Sequence, residues 1–274
     1  MRGAVVAGTF IVLAWLERRR ALRARVAPAG RRLARNLTVA AIAAATVRAV
    51  EMPVVLPLAR WTARARVGVV ARMPLPGPVR LVVTLLLLDY TLYVWHVLTH
   101  RVPVLWRFHV VHHLDRDLDA STAVRFHFGE LAISTVWRAA QVVAIGVAPD
   151  ALAVWQTATL VSVLFHHSNV RLPIALERAL ARVVVTPRLH GIHHSTVRAE
   201  TDSNWSSGLV VWDRLHGTLR VDVPQDAIEI GVPAYRSAAD AALPRILALP
   251  FERQRPSWQG APVRDPVPAP ALVA

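Results

Sequence analysis

Apolar residues gather into long runs along this chain, separated by polar or arginine-rich stretches. The first run, 4–16, is bounded by Glu17 and by Arg18, Arg19 and Arg20. A full membrane span takes about 20 residues, so this one is short; with no small-residue cleavage site after it, it reads as a retained first helix. A second run, 37–58, is interrupted by Arg48, Glu51 and Pro53, which predicts a kinked or protein-packed helix and not one bathed in lipid. Residues 81–98 form the cleanest span and run directly into the first histidines. Two shorter runs, 131–147 and 151–165, are joined by Ala148-Pro149-Asp150 and read as a helical hairpin. Beyond 168 the chain is mixed and polar. Its end, from about 254, is rich in Pro and Ala and reads as a disordered tail.

The expected fold is therefore all-α, an integral membrane helical bundle carrying a polar cap. Residues 1–80 supply membrane anchor helices and basic loops, 81–230 the functional domain, and 231–274 a C-terminal extension. Composition agrees with this reading. Of the 274 residues, 54% are apolar and 18% charged, and the mean hydropathy is +0.38, which excludes a disordered chain. Cysteine is absent, which removes disulfides, thiolate metal sites and iron–sulfur clusters together. The formal net charge is +14, and every basic residue is arginine. These arginines flank the apolar runs as membrane orientation requires, so nucleic acid is not the expected partner. The densest group, in 17–36, marks a cytoplasmic loop. Counting spans from there brings His96, His100, His166 and His167 to the same cytoplasmic face.

The twelve histidines all fall between residues 96 and 216. They form His96-x3-His100, His109-x2-His112-His113, His127, His166-His167, His190-x2-His193-His194 and His216. On a helix, positions i, i+3 and i+4 share a face, so each triplet presents its imidazoles in one direction. Eight ligands from three such blocks are too many for one ion and suit two metals across a helical core. Asp89 lies on the same helical stripe as His96 and His100, where a carboxylate orients a ligand imidazole from behind. The chain has no His-Glu-x-x-His, Glu-x-x-His, Gly-x-Ser-x-Gly or Walker loop. Imidazole ligands alone leave iron, zinc and copper open. Single histidines such as His216 and His166 read as packed side chains.

The order and spacing of these blocks resemble the fatty acid hydroxylase / sterol desaturase superfamily of membrane non-haem di-iron oxygenases. DYTLYVWHVLTH, LWRFHVVHH and TPRLHGIHHS resemble its three histidine boxes. STAVRFHFGE resembles its Thr-x-x-Arg-x-His-Pro-x-Glu segment, FHHSNVRLP its Phe-x-His-Ser-Asn segment, and DSNWSSGLVVWDRLHGT its closing signature. The likeness runs from Asp89 to about Thr218. Val97, Leu114, Asp119, Phe128 and His216 depart from the usual pattern without removing a box histidine.

The resemblance implies metal ligation by His96, His100, His109, His112, His113, His127, His167, His190, His193 and His194. It places Asp89, Arg125, Glu130, Asn169, Asp202 and Asn204 behind them. It further implies two non-haem iron ions, O2 as co-substrate, and hydroxylation or desaturation of a lipid such as a sterol or fatty acyl chain. Electrons would come from an external ferredoxin- or cytochrome-type donor, and the expected location is a bacterial inner membrane with the site facing the cytoplasm. The competing reading is a histidine-rich metal-binding or metal-transport membrane protein without oxygenase activity.

Overall fold

The computed structural model describes residues 2–262. Thirteen α-helices and no β-strand occur among them, with three isolated bridges that tie loops together. α1 spans Arg2–Arg19, α2 Ala29–Thr46 and α3 Met52–Ala65. Between α2 and α3 the helix continues through a π turn, Val47–Glu51. This wide turn stands just before Pro53, whose ring and missing N–H disrupt regular α bonding. α4 is the short Val69–Arg72, α5 runs Gly77–Arg101 and α6 Pro103–His113. The hairpin expected from the two shorter apolar runs is present as α7 (Phe128–Ile145) and α8 (Pro149–His167). Five short helices follow among the described residues: α9 (Ile174–Leu180), α10 (Pro187–His193), α11 (Arg198–Thr201), α12 (Val211–Leu215) and α13 (Leu243–Ala248).

α3 and α7 end against each other. Gly68 and Gly146 both have positive φ, and a Cβ on Gly68 would stand 2.2 Å from the Gly146 nitrogen. Only glycine allows both the left-handed turn and that approach. Thr62 Oγ1 closes the junction by donating to the Val147 carbonyl at 2.9 Å. Around it lies an apolar core that includes Val55, Ala59, Leu88, Val142, Leu152 and Trp155. A second core packs Val110, Val111 and Leu114 of the α6 region against Tyr235, Ile246 and Leu249.

Two helical stretches, Ala29–Arg72 and Gly77–Arg101, are long and apolar enough to cross a membrane. Only 22% of each apolar window is buried within the protein. The remaining apolar surface includes Val50, Val54, Trp61, Val82 and Leu86, all exposed. A soluble helix of this length turns such a face to its core, so these faces need an apolar environment.

One expectation needs correction. Arg32, counted in the cytoplasmic basic loop, is buried and bonds Asp115 Oδ1 through Nε at 2.8 Å, Thr122 Oγ1 at 2.8 Å, and Asp119. The acidic turn after α6 draws it in, because a buried carboxylate needs a paired charge. Within the stretch read as the start of a tail, Trp258 stacks on Trp106 with ring centroids 6.0 Å apart. The rest of that expected tail, 263–274, lies outside the described residues.

Candidate metal centre

Four helices deliver the histidines. α5 carries His96 and His100 in its final turns, and Val102 then adopts an extended conformation that lets Pro103 start α6 in a new direction. α6 brings His109, His112 and His113, α8 ends on His166 and His167, and α10 carries His190 and His193, with His194 at its end. Two compact groups result. His96, His100, His109, His113 and His193 form one; His112, His167, His190 and His194 form the other. Within each group one nitrogen per ring lies within 4.8 Å of all the others.

The division follows from helix geometry. Neighbouring residues on a helix point about 100° apart. His112-His113 and His193-His194 are neighbours, so α6 splits His109 and His113 from His112, and α10 splits His193 from His190 and His194. The rings of His113 and His194 stack at 4.2 Å across the divide, which sets the two groups side by side.

Hydrogen bonds fix which nitrogen faces inward. Nδ1–H of His96 donates to the Trp205 carbonyl at 2.7 Å, and that of His193 to the Ser203 carbonyl at 2.8 Å. His167 Nδ1–H donates to the Val163 carbonyl at 2.8 Å. His109 Nδ1 lies 2.8 Å from Glu130 Oε1, with both side chains buried. Each Nδ1–H donor leaves Nε2 as a bare lone pair. Nε2 of His100, His109, His113 and His193 is buried with no protein partner among the described residues.

In the second group, Nε2 atoms meet directly: His112 to His167 at 2.9 Å, His167 to His190 at 3.0 Å, His190 to His194 at 3.1 Å. His167 Nε2 is already an acceptor, so His190 must donate to it, and one N–H cannot also serve His194 in line. A cation at the point of convergence resolves this, because nitrogens at right angles around an ion with bonds of roughly 2.1 Å stand about 3 Å apart. An all-imidazole donor set of this kind suits a borderline metal such as iron, zinc or copper. Burial, and then the neighbouring imidazoles, holds His113, His190 and His194 well below the ordinary range; burial pushes His193 down to about 3. These rings are neutral near pH 7 and offer lone pairs without competition from protons.

Nine of the ten histidines expected as ligands are thus brought together, and His127 is not. Its Nδ1 accepts from the Gly129 N–H at 2.9 Å and caps α7, while Nε2 donates to the Leu247 carbonyl at 3.1 Å. Both nitrogens are committed to holding backbone. His166 is buried with its ring 4.1 Å from that of His190, outside both groups. His216 stacks on Tyr93 at 5.0 Å.

Of the six residues expected behind the ligands, only Glu130 touches one. Asp89 Oδ2 instead accepts from the Leu209 N–H at 3.1 Å and from Trp212 Nε1 at 2.7 Å. Gly208 lets it approach, since a Cβ there would stand 2.2 Å from Asp89 Oδ1. Arg125 donates to the Val111 carbonyl and to Asn36 Oδ1, each at 3.0 Å, and so braces α6. Asn169 clasps the backbone of Arg23 through both its side-chain atoms. Asn204, at φ 51°, donates to the carbonyls of Leu189 and Arg220. Asp202 faces Arg101 and Arg198.

The sequence reading missed the three carbonyl acceptors, which no residue type announces. It also missed Asp213, which accepts from the Trp205 and Ser206 N–H groups at 2.9 and 3.0 Å and so presents the Trp205 carbonyl to His96. The Trp212-Asp213 pair in the closing motif carried that signal.

A model of the family described as fatty acid hydroxylase matches residues 81–218. The ornithine lipid hydroxylase OlsE of Rhizobium tropici is 32% identical over 180 residues, covering 65% of this chain and 52% of that protein. Human alkylglycerol monooxygenase is 30% identical over 134 residues, 49% of this chain and 29% of that protein. Mouse cholesterol 25-hydroxylase is 28% identical over 140 residues, 50% of this chain and 46% of that protein. This chain therefore matches about half, or less, of the length of these curated relatives. No solved structure matches it.

Proposed function

Because the chain belongs to the fatty acid hydroxylase family, we propose that it is an integral membrane oxidoreductase that hydroxylates or desaturates a membrane lipid with O2 at two non-haem iron ions. The observation that carries this reading is the partition of nine imidazoles into two adjoining groups that share α6 and α10. His96, His100, His109, His113 and His193 would hold one ion, and His112, His167, His190 and His194 the other. When bound, such ions supply the redox chemistry that activates O2 toward a C–H bond.

The chain's own groups do the positioning. The carbonyls of Trp205, Ser203 and Val163, with Glu130, lock four rings in the tautomer whose Nε2 points inward. Burial of every ring but the half-buried His100 limits the access of bulk water, which protects a reactive oxidant from side reactions. The relatives are named for acting on ornithine lipid, alkylglycerol and cholesterol, which supports a lipid as substrate class here. With neither cysteine nor a Gly-x-Gly-x-x-Gly segment, the chain would draw electrons from a separate ferredoxin- or cytochrome-type donor. The arginine-dense segment 17–36 supports a cytoplasmic face for the site, and the Rhizobium relative supports a bacterial inner membrane. A metal transport path would spread its histidines through the depth of the bilayer, whereas these converge on one centre.

The test is metal content of detergent-purified protein from iron-57-fed cells, followed by Mössbauer spectroscopy. The reading requires about two irons per chain that react with O2 after reduction. One zinc, or no bound metal after iron-replete expression, refutes it.

A further inference from the structure

The last turn of α5, the start of α6, α11 and the C-terminal segment 253–258 line an open cavity of about 910 Å³ beside the first histidine group. His100 of that group forms part of its wall. Trp106 and Trp258 make a stacked aromatic side, held by a Trp106 Nε1 hydrogen bond to Ser257 Oγ at 2.9 Å. Arg101, Arg107, Arg198, Arg253 and Arg255 also line it. Arginine is 32 of 274 residues in the chain but five of the thirteen around this cavity, so general basicity does not account for the concentration.

Two carboxylates, Asp202 and Asp240, face these five guanidiniums. Asp202 lies 3.9 Å from Arg101 Nη1 and 3.6 Å from Arg198 Nε, and Arg255 pairs with Asp240 at 3.2 Å. Arg107 donates one bond to the Glu252 carbonyl, while its buried Nε has no partner among the described residues. Arg253 is exposed. Clustered guanidiniums with spare donors select planar or tetrahedral oxyanions, which they hold in paired hydrogen bonds. The cavity sits where the apolar stretch of α5 gives way to Arg101, the level at which a spanning helix meets lipid headgroups.

From this placement we infer that the cavity is the headgroup subsite for an anionic amphiphile, a lipid carrying a phosphate or carboxylate. This rests on the lipid-oxidation reading and narrows its substrate class. The stacked tryptophans offer an apolar side to the first carbons behind the headgroup, and the arginines offer charge to the headgroup itself.

The test titrates the iron-loaded, detergent-purified protein with lysophosphatidic acid and with the monoacylglycerol of the same chain, following binding by native mass spectrometry. These probes differ only in the phosphate. Lysophosphatidic acid is expected to bind about ten-fold or more tightly. The double variant Arg198→Gln/Arg253→Gln, at two exposed positions, should remove most of that preference while leaving monoacylglycerol binding and iron content unchanged. Equal affinities for the two probes, or a preference that survives the double variant, overturn the inference. Competition by glycerol 3-phosphate as effective as that by lysophosphatidic acid would make the occupant a soluble phosphate and also overturn it. So would unchanged lipid binding with slower reduction by an acidic ferredoxin-type donor, which would make the cavity a protein-docking face. None of these readouts needs turnover. Absence of any lipid oxidation would refute the proposed function and leave anion selectivity standing, and oxidation of neutral lipids with equal affinities would do the reverse.

Discussion

Replacing Glu130 should weaken one metal position and spare the other. Its Oε1 lies 2.8 Å from His109 Nδ1, and the two side chains are 7% and 3% exposed, so water cannot substitute for the lost acceptor. Glu130→Ala leaves a buried N–H unpaired, a loss of about 1–3 kcal/mol. Loss of a partner behind a metal-bound histidine lowers metal affinity by roughly 10–100-fold, or about 1.4–2.7 kcal/mol, and the two ranges agree. Because His109 belongs to one group alone, the effect should be confined to one of two ions. Chelator competition against Co(II), a spectroscopic stand-in for iron, would resolve two affinities in the parent protein. The Ala variant should retain the tighter or weaker of these unchanged and lose the other by that factor. Glu130→Gln keeps a carbonyl oxygen for the His109 N–H and should lose less, about ten-fold at most. Equal weakening of both ions, or no change in either, would refute the assignment of His109 and Glu130 to a single position.

The other predictions concern parts of the structure that hold the centre in place. His127→Ala should cost about 1 kcal/mol through loss of the α7 cap, lowering Tm by a few degrees, with two irons still bound; loss of an iron would restore His127 as a ligand. Arg32→Ala strands Asp115 and Asp119 in the interior and should cost about 3–5 kcal/mol, read as a large fall in Tm. Burial pushes the Asp115 carboxyl up, but Arg32 and Arg125 outweigh it and hold it at about 2, against an ordinary value of 3.8. Its stabilisation, about 2 kcal/mol, is therefore complete above pH 3.8 and lost as the pH falls from 3.8 to 2. Thermal unfolding across that window should show the acid step in the parent and lose it in Arg32→Ala; identical profiles would refute the pairing.

Much of the centre was written into local sequence. Spacings of three and four residues put imidazoles on one helical face in any environment, because the backbone hydrogen-bond pattern sets the period. The apolar runs likewise announced α5 and the α7–α8 hairpin, and Pro53 announced an irregular turn. His112-His113 and His193-His194 already contained the divergence of about 100° that separates two metal positions. Which rings share a position was decided only when α5, α6, α8 and α10 packed, because partners so far apart in sequence have no spacing to be read. Tertiary contact also decided what stands behind each ring. The acceptors for His96, His193 and His167 are main-chain carbonyls, which every residue possesses, so their identity is a matter of place and not of type. Asp89 occupies the expected stripe of α5, yet Trp212 and Leu209 cover that turn and take its carboxylate. Arg32 reads as a surface charge until the carboxylates of Asp115 and Asp119 and the main-chain carbonyl of Asp117 enclose it. A local pattern determines direction along a helix; the charge, donor or ring that meets a side chain there depends on which other helix arrives.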